Sequence, residues 1–303
     1  MRIRKRTLKL IFIALFILII GYFIINYFIY KNPYQFNGDK LYYSENRGQT
    51  KYEISLLNST GGLDIFSVNF FSKNFLQYET KIYGLLFMQK GKKEVPGLVL
   101  LPGGGVSKES ESRLASIIAE SGYAVLTFDQ RGIGETDGYY LGFDQDFQIF
   151  SEGKEPIQHL SVYDGLKAFD VLKEVKNVDK NNIAIAGESM GARYAIIAAA
   201  IEKRLKGVIV ISSAGFHVKK ESSMANSYLL SIDPDHYISD ISPRFVFMLH
   251  GTNDTKVSLN DTKFTFNLGK EPKRFFAAEG CGHGYCDKME EELREDLRTL
   301  FGK

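Results

Sequence analysis

The chain has 303 residues, 44% of them hydrophobic and 24% charged, which is enough to bury one large core and too apolar for a disordered protein. Lysine and arginine number 38 against 36 for aspartate and glutamate, so the global basic excess of a nucleic-acid binder is excluded. The basic excess is local instead. Arg2, Arg4, Lys5, Arg6 and Lys9 form a basic tail over 1–9, ahead of an uncharged stretch over 10–30. A helix of that length spans about 30 Å, the thickness of a bilayer's hydrocarbon core. No small-x-small cleavage site precedes Lys31, Asn32 and Pro33, so the stretch is expected to be an uncleaved transmembrane anchor. The surplus of positive charge before it places the N-terminus in the cytoplasm and the rest of the chain outside, with Tyr22, Phe23, Tyr27, Phe28 and Tyr30 at the exit interface. Residues 31–50, polar with scattered aromatics, read as a juxtamembrane linker, and 51–303 as one folded domain.

Glu53–Leu57, Leu63–Phe71 and Thr80–Met88 read as β-branched and aromatic strands, the first two joined by a turn at Ser59–Gly62. Such a series predicts antiparallel pairing at one edge of a sheet. Gly97–Leu101 is a continuous apolar run, the mark of a central strand buried on both faces. From there the pattern alternates: helix Ser110–Glu120, strand Tyr123–Phe128, helix Ser161–Lys176, strand Ile183–Ala186 with its following helix, and strands Gly207–Ile211 and Phe245–Leu249. Helix Asp261–Leu268, strand Arg274–Ala277 and an amphipathic helix Asp287–Phe301 follow, the last with Asp287 and Glu290 spaced as a capping box. The fold class this predicts is α/β, a mostly parallel sheet covered by helices on both faces, with working groups beyond the carboxyl ends of the strands.

Gly187, Glu188, Ser189, Met190 and Gly191 fill the turn between a strand and a helix. A serine on so sharp a turn needs neighbours without bulk two positions either side, because the strand and helix backbones nearly touch. Ser189 is therefore a candidate nucleophile. It requires a base and an orienting carboxylate, each just past a strand end. Asp254 lies in the turn after the strand ending at Leu249, and His283 lies between glycines in the last loop before the final helix. The other histidines, at 159, 217, 236 and 250, are expected to be structural. Gly103, Gly104 and Gly105 follow the central strand, and the amides of Gly104 and Met190 are the expected oxyanion donors. A glycine-rich loop can also cradle phosphate, but GxGxxG spacing and a Walker lysine are both missing here.

Together, Leu101 to Gly105, Phe128 to Gly134, the Ser189 turn, His250 to Asp254 and Gly282 to Gly284 resemble the α/β-hydrolase superfamily, from about residue 51 to the end. Within it the chain looks most like the dienelactone-hydrolase and prolyl-oligopeptidase-like (S9-type) branch. The resemblance implies an α/β-hydrolase catalytic domain with Ser189, Asp254 and His283 as the triad. It also makes Asp129 to Gly134 a structural turn bordering the pocket. Pro102 departs from the histidine that often precedes the family's glycines.

Two inserts, Tyr139–Leu160 and Ala214–Ser242, carry many aromatics and are expected to form a small lid with an apolar acyl-side pocket, Phe143 and Tyr228 touching substrate. Cys281 and Cys286, the only cysteines, flank His283. They read either as a disulfide fixing that loop or as independent thiols, since spacing alone does not give the Cα separation a bridge needs. The expected function is a membrane-anchored serine hydrolase cleaving small-molecule esters through an acyl-enzyme, without metal or organic cofactor. A peptidase of short peptides is the alternative, and a catalytically silent binding module the rival from another class.

Overall fold

A computed structural model describes residues 5–29, 34–37, 40–73 and 79–302. The chain divides into two compact units, residues 1–35 and 36–303. The first unit contains α1 (Lys5–Ile29), whose described apolar side chains, from Ile11 to Ile20, are exposed. Among the described residues no helix is long and apolar enough to cross a membrane. Arg2 and Arg4 of the basic tail, and residues 30–33, lie outside the described residues.

Short strands β1 (Tyr34–Asn37) and β2 (Lys40–Tyr43) stand at the unit boundary. Residues 40–50, expected to be linker, are packed into the second unit instead. Leu41 and Tyr43 are buried, the Tyr43 hydroxyl donates to Glu155 at 2.5 Å, and the Arg47 guanidinium reaches Asp170 at 2.7 Å and Glu202 at 2.8 Å. A polar composition hid this because the buried groups are charged and paired with each other.

The body of the second unit is a nine-stranded sheet. Its antiparallel edge is formed by β3 (Tyr52–Thr60), β4 (Leu63–Lys73) and β5 (Glu79–Gln89), as the consecutive strand signals predicted. The parallel part comprises β6 (Val95–Leu101), β7 (Ala124–Phe128), β8 (Val178–Glu188), β9 (Gly207–Ile211), β10 (Phe245–Gly251) and β11 (Lys273–Ala278). The order across the sheet is β11-β10-β9-β8-β6-β7-β5-β4-β3. Every residue of β6 is buried, as its unbroken apolar run required.

Helices cover both faces. Leu98 and Leu100 of β6 share one core with Leu114 and Ile118 of α2 (Ser112–Glu120) and with Leu293 and Leu297 of α8 (Glu290–Phe301). The alternate residue Leu101 meets Gly165 of α4 (Ile157–Glu174) on the other face, where α5 (Met190–Ile201) also packs against the sheet. Helices α3 (Phe143–Ser151), α6 (Met224–Ile232) and α7 (Leu259–Leu268) complete the unit. The capping box expected of Asp287 and Glu290 does not form: Asp287 opens a 3-10 turn and pairs with Arg113, and Met289 occupies the cap position of α8.

The chain runs from β6 outward to β7, then returns across β6 to β8 and continues the opposite way. That reversal puts the loops after β6 and β8 side by side, because Leu101 pairs in register with Gly187. A crevice between loops at such a switch point is where open α/β sheets bind ligands.

Candidate active site

Ser189 stands between β8 and α5 at φ +52° and ψ −115°. A non-glycine residue holds that conformation only where its surroundings over-determine it. Here its amide donates to the Ile211 carbonyl at 2.9 Å and its carbonyl accepts from the Ser213 hydroxyl at 2.7 Å, so both ends of the peptide are tied to the β9 side. A Cβ on Gly187 would lie 2.5 Å from the Gly191 carbonyl carbon, and one on Gly191 would strike the carbonyls of Leu101 and Pro102. The two glycines are thus required by close approach of strand, helix and the loop after β6. The turn read from sequence is present as expected.

His283 lies in the loop between β11 and α8. Its Nε2 is 2.9 Å from Ser189 Oγ and its Nδ1 is 2.8 Å from Asp254 Oδ2. Hydrogen-bond partners fix the tautomer: Nδ1–H donates to the carboxylate, which leaves Nε2 free to accept from the serine hydroxyl. The Asp254 side chain is buried, and its Oδ1 accepts from the amides of Lys256 at 2.8 Å and Val257 at 3.0 Å. Burial works against its charge. The Val257 amide, His283 and the Lys256 amide outweigh that penalty and hold the carboxyl below the usual carboxylate range. Behind this turn, buried His250 has Nε2 3.0 Å from the Val257 carbonyl and Nδ1 3.1 Å from the Thr262 hydroxyl, a brace in keeping with the structural role expected of it. Burial pushes its pKa down, which keeps the ring neutral.

Gly103 lies beside the serine and Gly104 beside Met190. A Cβ on Gly103 would stand 3.8 Å from that of Ser189, and one on Gly104 would stand 3.3 Å from Met190 Sδ. Met190 is the first residue of α5, so its amide belongs to the turn that has no acceptor within the helix. Of the two expected donors, Met190 follows the serine directly and Gly104 packs against the Met190 side chain. The same Gly104 position would be 2.9 Å from the Tyr140 hydroxyl, placing Tyr140 over the glycine loop. Sequence reading put Tyr140 in the lid segment without this contact, which arises only from the fold. The turn after β7 is structural as expected: Asp129 accepts from the amides of Lys108 at 2.8 Å and Glu135 at 2.9 Å, and Arg131 pairs with buried Asp164 at 2.6 Å.

The expected lid is two short helices, α3 and α6, and the role given to Tyr228 is corrected. Tyr228 is 1% exposed, its ring packs 5.7 Å from Phe147 and 5.4 Å from Phe150, and its hydroxyl donates to Asp146 at 2.9 Å. It packs α6 against α3, and in this conformation it is buried between them. Phe143 is partly exposed and meets Phe216 edge-on at 5.4 Å, and Phe216 in turn lies under the Arg193 guanidinium at 4.4 Å. Phe216 thus links Phe143 of α3 to Arg193 of α5, four residues beyond Ser189. Cys281 and Cys286 are joined in a disulfide across the His283 loop, with Cα atoms 6.3 Å apart. Among the described residues no group of histidine, cysteine and carboxylate side chains is arranged to hold a metal ion.

Residues 95–235 match a family model described as Serine aminopeptidase, S33. Among curated proteins, the chain is 24% identical over 192 residues to YfhR of Escherichia coli O157:H7, described as uncharacterized, covering 61% of this chain and 62% of that one. It is 30% identical over 121 residues to acyltransferase drtE of Aspergillus calidoustus, covering 40% of this chain and 35% of that one. The chain thus spans about three fifths of the length of YfhR. Among solved structures, the acetyl xylan esterase from Paenibacillus sp. R4 superposes with a TM-score of 0.70 at 19% identity, over 84% of this chain and 90% of that one. A glucuronoyl esterase from Solibacter usitatus superposes with a TM-score of 0.63 at 14% identity, over 84% of this chain and 87% of that one.

Proposed function

We propose that the chain, which has the fold of the α/β-hydrolases and matches a serine-hydrolase family model over residues 95–235, is a serine hydrolase that cleaves small-molecule carboxylic esters through an acyl-enzyme. The observation that carries this reading is the single imidazole of His283, hydrogen-bonded to Ser189 on one side and Asp254 on the other. Ser189 Oγ attacks the ester carbonyl while His283 Nε2 takes its proton. Asp254 holds the ring and stabilises the imidazolium. The oxyanion of the tetrahedral intermediate is received by the amides of Met190 and Gly104, each such donor being worth about 3 kcal/mol at the transition state. His283 returns the proton to the leaving alkoxide as the acyl-enzyme forms, and then draws a proton from water for the second half.

Ester cleavage is favoured because the structural neighbours are described as esterases. The aminopeptidase description of the matching family favours a second reading, hydrolysis of short peptides by the same three residues. We further propose that α1 and the uncharged stretch 10–30 anchor the protein in a membrane, with its hydrolase unit on the extracytoplasmic side.

A fluorophosphonate probe tests the central claim. Labelling of the folded wild type that disappears in Ser189→Ala is the expected result; folded protein that never labels returns the chain to the binding-module reading. Rates on acyl esters set against aminoacyl amides then separate ester from peptide hydrolysis.

A further inference from the structure

We propose that Arg193 is a specificity residue that receives a carboxylate at the far end of the substrate's acyl chain, so that the preferred esters are monoesters of dicarboxylic acids; this rests on the hydrolase reading of the site and names its substrate class. Arg193 lies on α5, four residues beyond Ser189. Its Nε donates to the Ala214 carbonyl at 3.1 Å, and its guanidinium stacks on the Phe216 ring at 4.4 Å. Ala214 follows Ser213, whose hydroxyl holds the Ser189 carbonyl at 2.7 Å. The cation is thus tied to the same short segment as the nucleophile, within the length of a small substrate.

Arg47 and Arg131, both buried, end on acids: Arg47 on Asp170 and Glu202, Arg131 on Asp164. Arg193 does not. It pairs with no carboxylate among the described residues, and its Nη1 and Nη2 donate to no acceptor among them. Asp233, an acid that attracts it through space, is committed elsewhere: Oδ1 accepts the amides of Phe216 at 2.9 Å and Asp235 at 3.1 Å, and Oδ2 that of Val218 at 3.0 Å. Those bonds also fix the segment that carries the Phe216 ring. Burial works against the Arg193 charge, yet the side chain is half-buried rather than sealed. Its Nε edge and its planar face are therefore held by the protein, while the two Nη groups, parallel donors of the spacing that a carboxylate matches, face no protein acceptor.

The side of the substrate follows from the proton path. His283 gives its proton to the leaving alkoxide, so the leaving group lies at the imidazole. That imidazole arrives on the loop leading to α8, which with α2 covers one face of the sheet, whereas α5 covers the other. The acyl portion is left to run along the α5 side, past Phe216 and the 40% exposed Phe143 that meets it edge-on at 5.4 Å. Two rings suit methylenes, and a guanidinium at their end suits a carboxylate. A neutral acyl chain of the same length would cover the cation without pairing it, and that difference is the source of discrimination.

The test is kcat/KM on the 4-nitrophenyl monoesters of glutarate, adipate and pimelate, each against the neutral ester of equal carbon count, pentanoate, hexanoate or heptanoate. Wild type, Arg193→Gln and Arg193→Met are compared, with fluorophosphonate labelling to show that Ser189 is reactive. Wild type should favour at least one monoester over its neutral counterpart by about tenfold to hundredfold, the value of a hydrogen bond to a charged group. Both variants should bring that ratio close to one, with the loss chiefly in KM, because the contact is made alike in ground and transition states. A merely structural Arg193 would slow both esters together and leave the ratio where it was. Wild type that labels but favours no monoester, or a ratio that survives in both variants, overturns the proposal while leaving the hydrolase reading intact. Wild type that never labels overturns both. If neither variant folds, wild type decides alone: methylating the free carboxyl of the favoured monoester should remove the preference, and a methylated form cleaved equally well overturns the proposal.

Discussion

The geometry at Ser189, Asp254 and His283 makes the carboxylate the residue whose role is most sharply testable. Replacing Asp254 by Asn leaves the volume and the contacts with the Lys256 and Val257 amides available, but an amide N–H facing Nδ1 drives the ring to the opposite tautomer. Nε2 then carries the proton and cannot accept one. Asp254→Asn should fold normally and lose on the order of 10⁴ in kcat with little change in KM, as measured by ester hydrolysis under saturating and limiting substrate. His283→Ala should lose on the order of 10⁶. These three residues were readable in the sequence because each follows a strand end directly, so a topological rule was enough to bring them together. Tyr140 was not, since nothing local distinguishes a tyrosine in a loop; its place at the glycine loop exists only after the sheet has formed. Tyr228 was misread for the opposite reason: an aromatic in a long insert suggested a pocket, whereas a nine-residue helix of modest size uses its aromatic as its own core.

At the scale of elements, parallel strands announced themselves through unbroken apolar runs, and their helices through spacing. Helices α3 and α6 did not, because each has only nine residues, too short for a period to stand out. The capping box failed because the exposed Asp287 found Arg113 on a distant helix, a tertiary partner that no local pattern encodes. The His283 loop is the element with the most direct bearing on activity. It is closed into a small ring by Cys281 and Cys286, and the Cys281 carbonyl accepts the Asn253 amide at 2.8 Å, which ties it to the Asp254 turn. Opening the ring frees backbone between the base and that anchor point. Reduction with dithiothreitol, or Cys286→Ser, should lower kcat several-fold more than it raises KM. Thermal stability should fall as well, a short ring contributing on the order of 2–3 kcal/mol. Activity identical with and without reductant, with reduction verified by mass, would mean that the hydrogen bonds alone hold the loop.

For the molecule as a whole, the proposed anchor has a direct check. Full-length protein should stay with the membrane fraction after alkaline carbonate washing, and a variant starting at residue 36 should be released with its labelling by fluorophosphonate unchanged, because the second unit holds the entire site. The pH dependence of stability is set by buried carboxyls that depart from their ordinary values in opposite directions. Although burial opposes it, the Arg204 side chain and backbone, then Arg47, hold Glu202 down to about 2. Its contribution is present above the unfolded value of about 4.3 and is lost as pH falls toward 2. Burial, then Glu188, raises Glu111 to about 8, and burial raises Asp296 to about 7 against the pull of Arg274. These groups bind more protons folded than unfolded, so their contribution is whole below about pH 4 and is lost as pH rises through 7 and 8. Buried His159, pushed down to about 3, adds a loss of stability as pH falls below about 6.5, and the three trends together place maximum stability between about pH 5 and 6, on the acidic side of neutrality. Midpoints of thermal unfolding for residues 36–303 at pH 3, 5, 7 and 9 should peak at 5 and fall on both sides, by ~2–4 °C for each kcal/mol lost. Glu111→Gln removes one titrating group from the alkaline limb only. It should flatten the decline between pH 5 and 9 and leave the acid limb where it was, whereas equal slopes in both proteins would mean that the Glu111 carboxyl is ionised throughout that range.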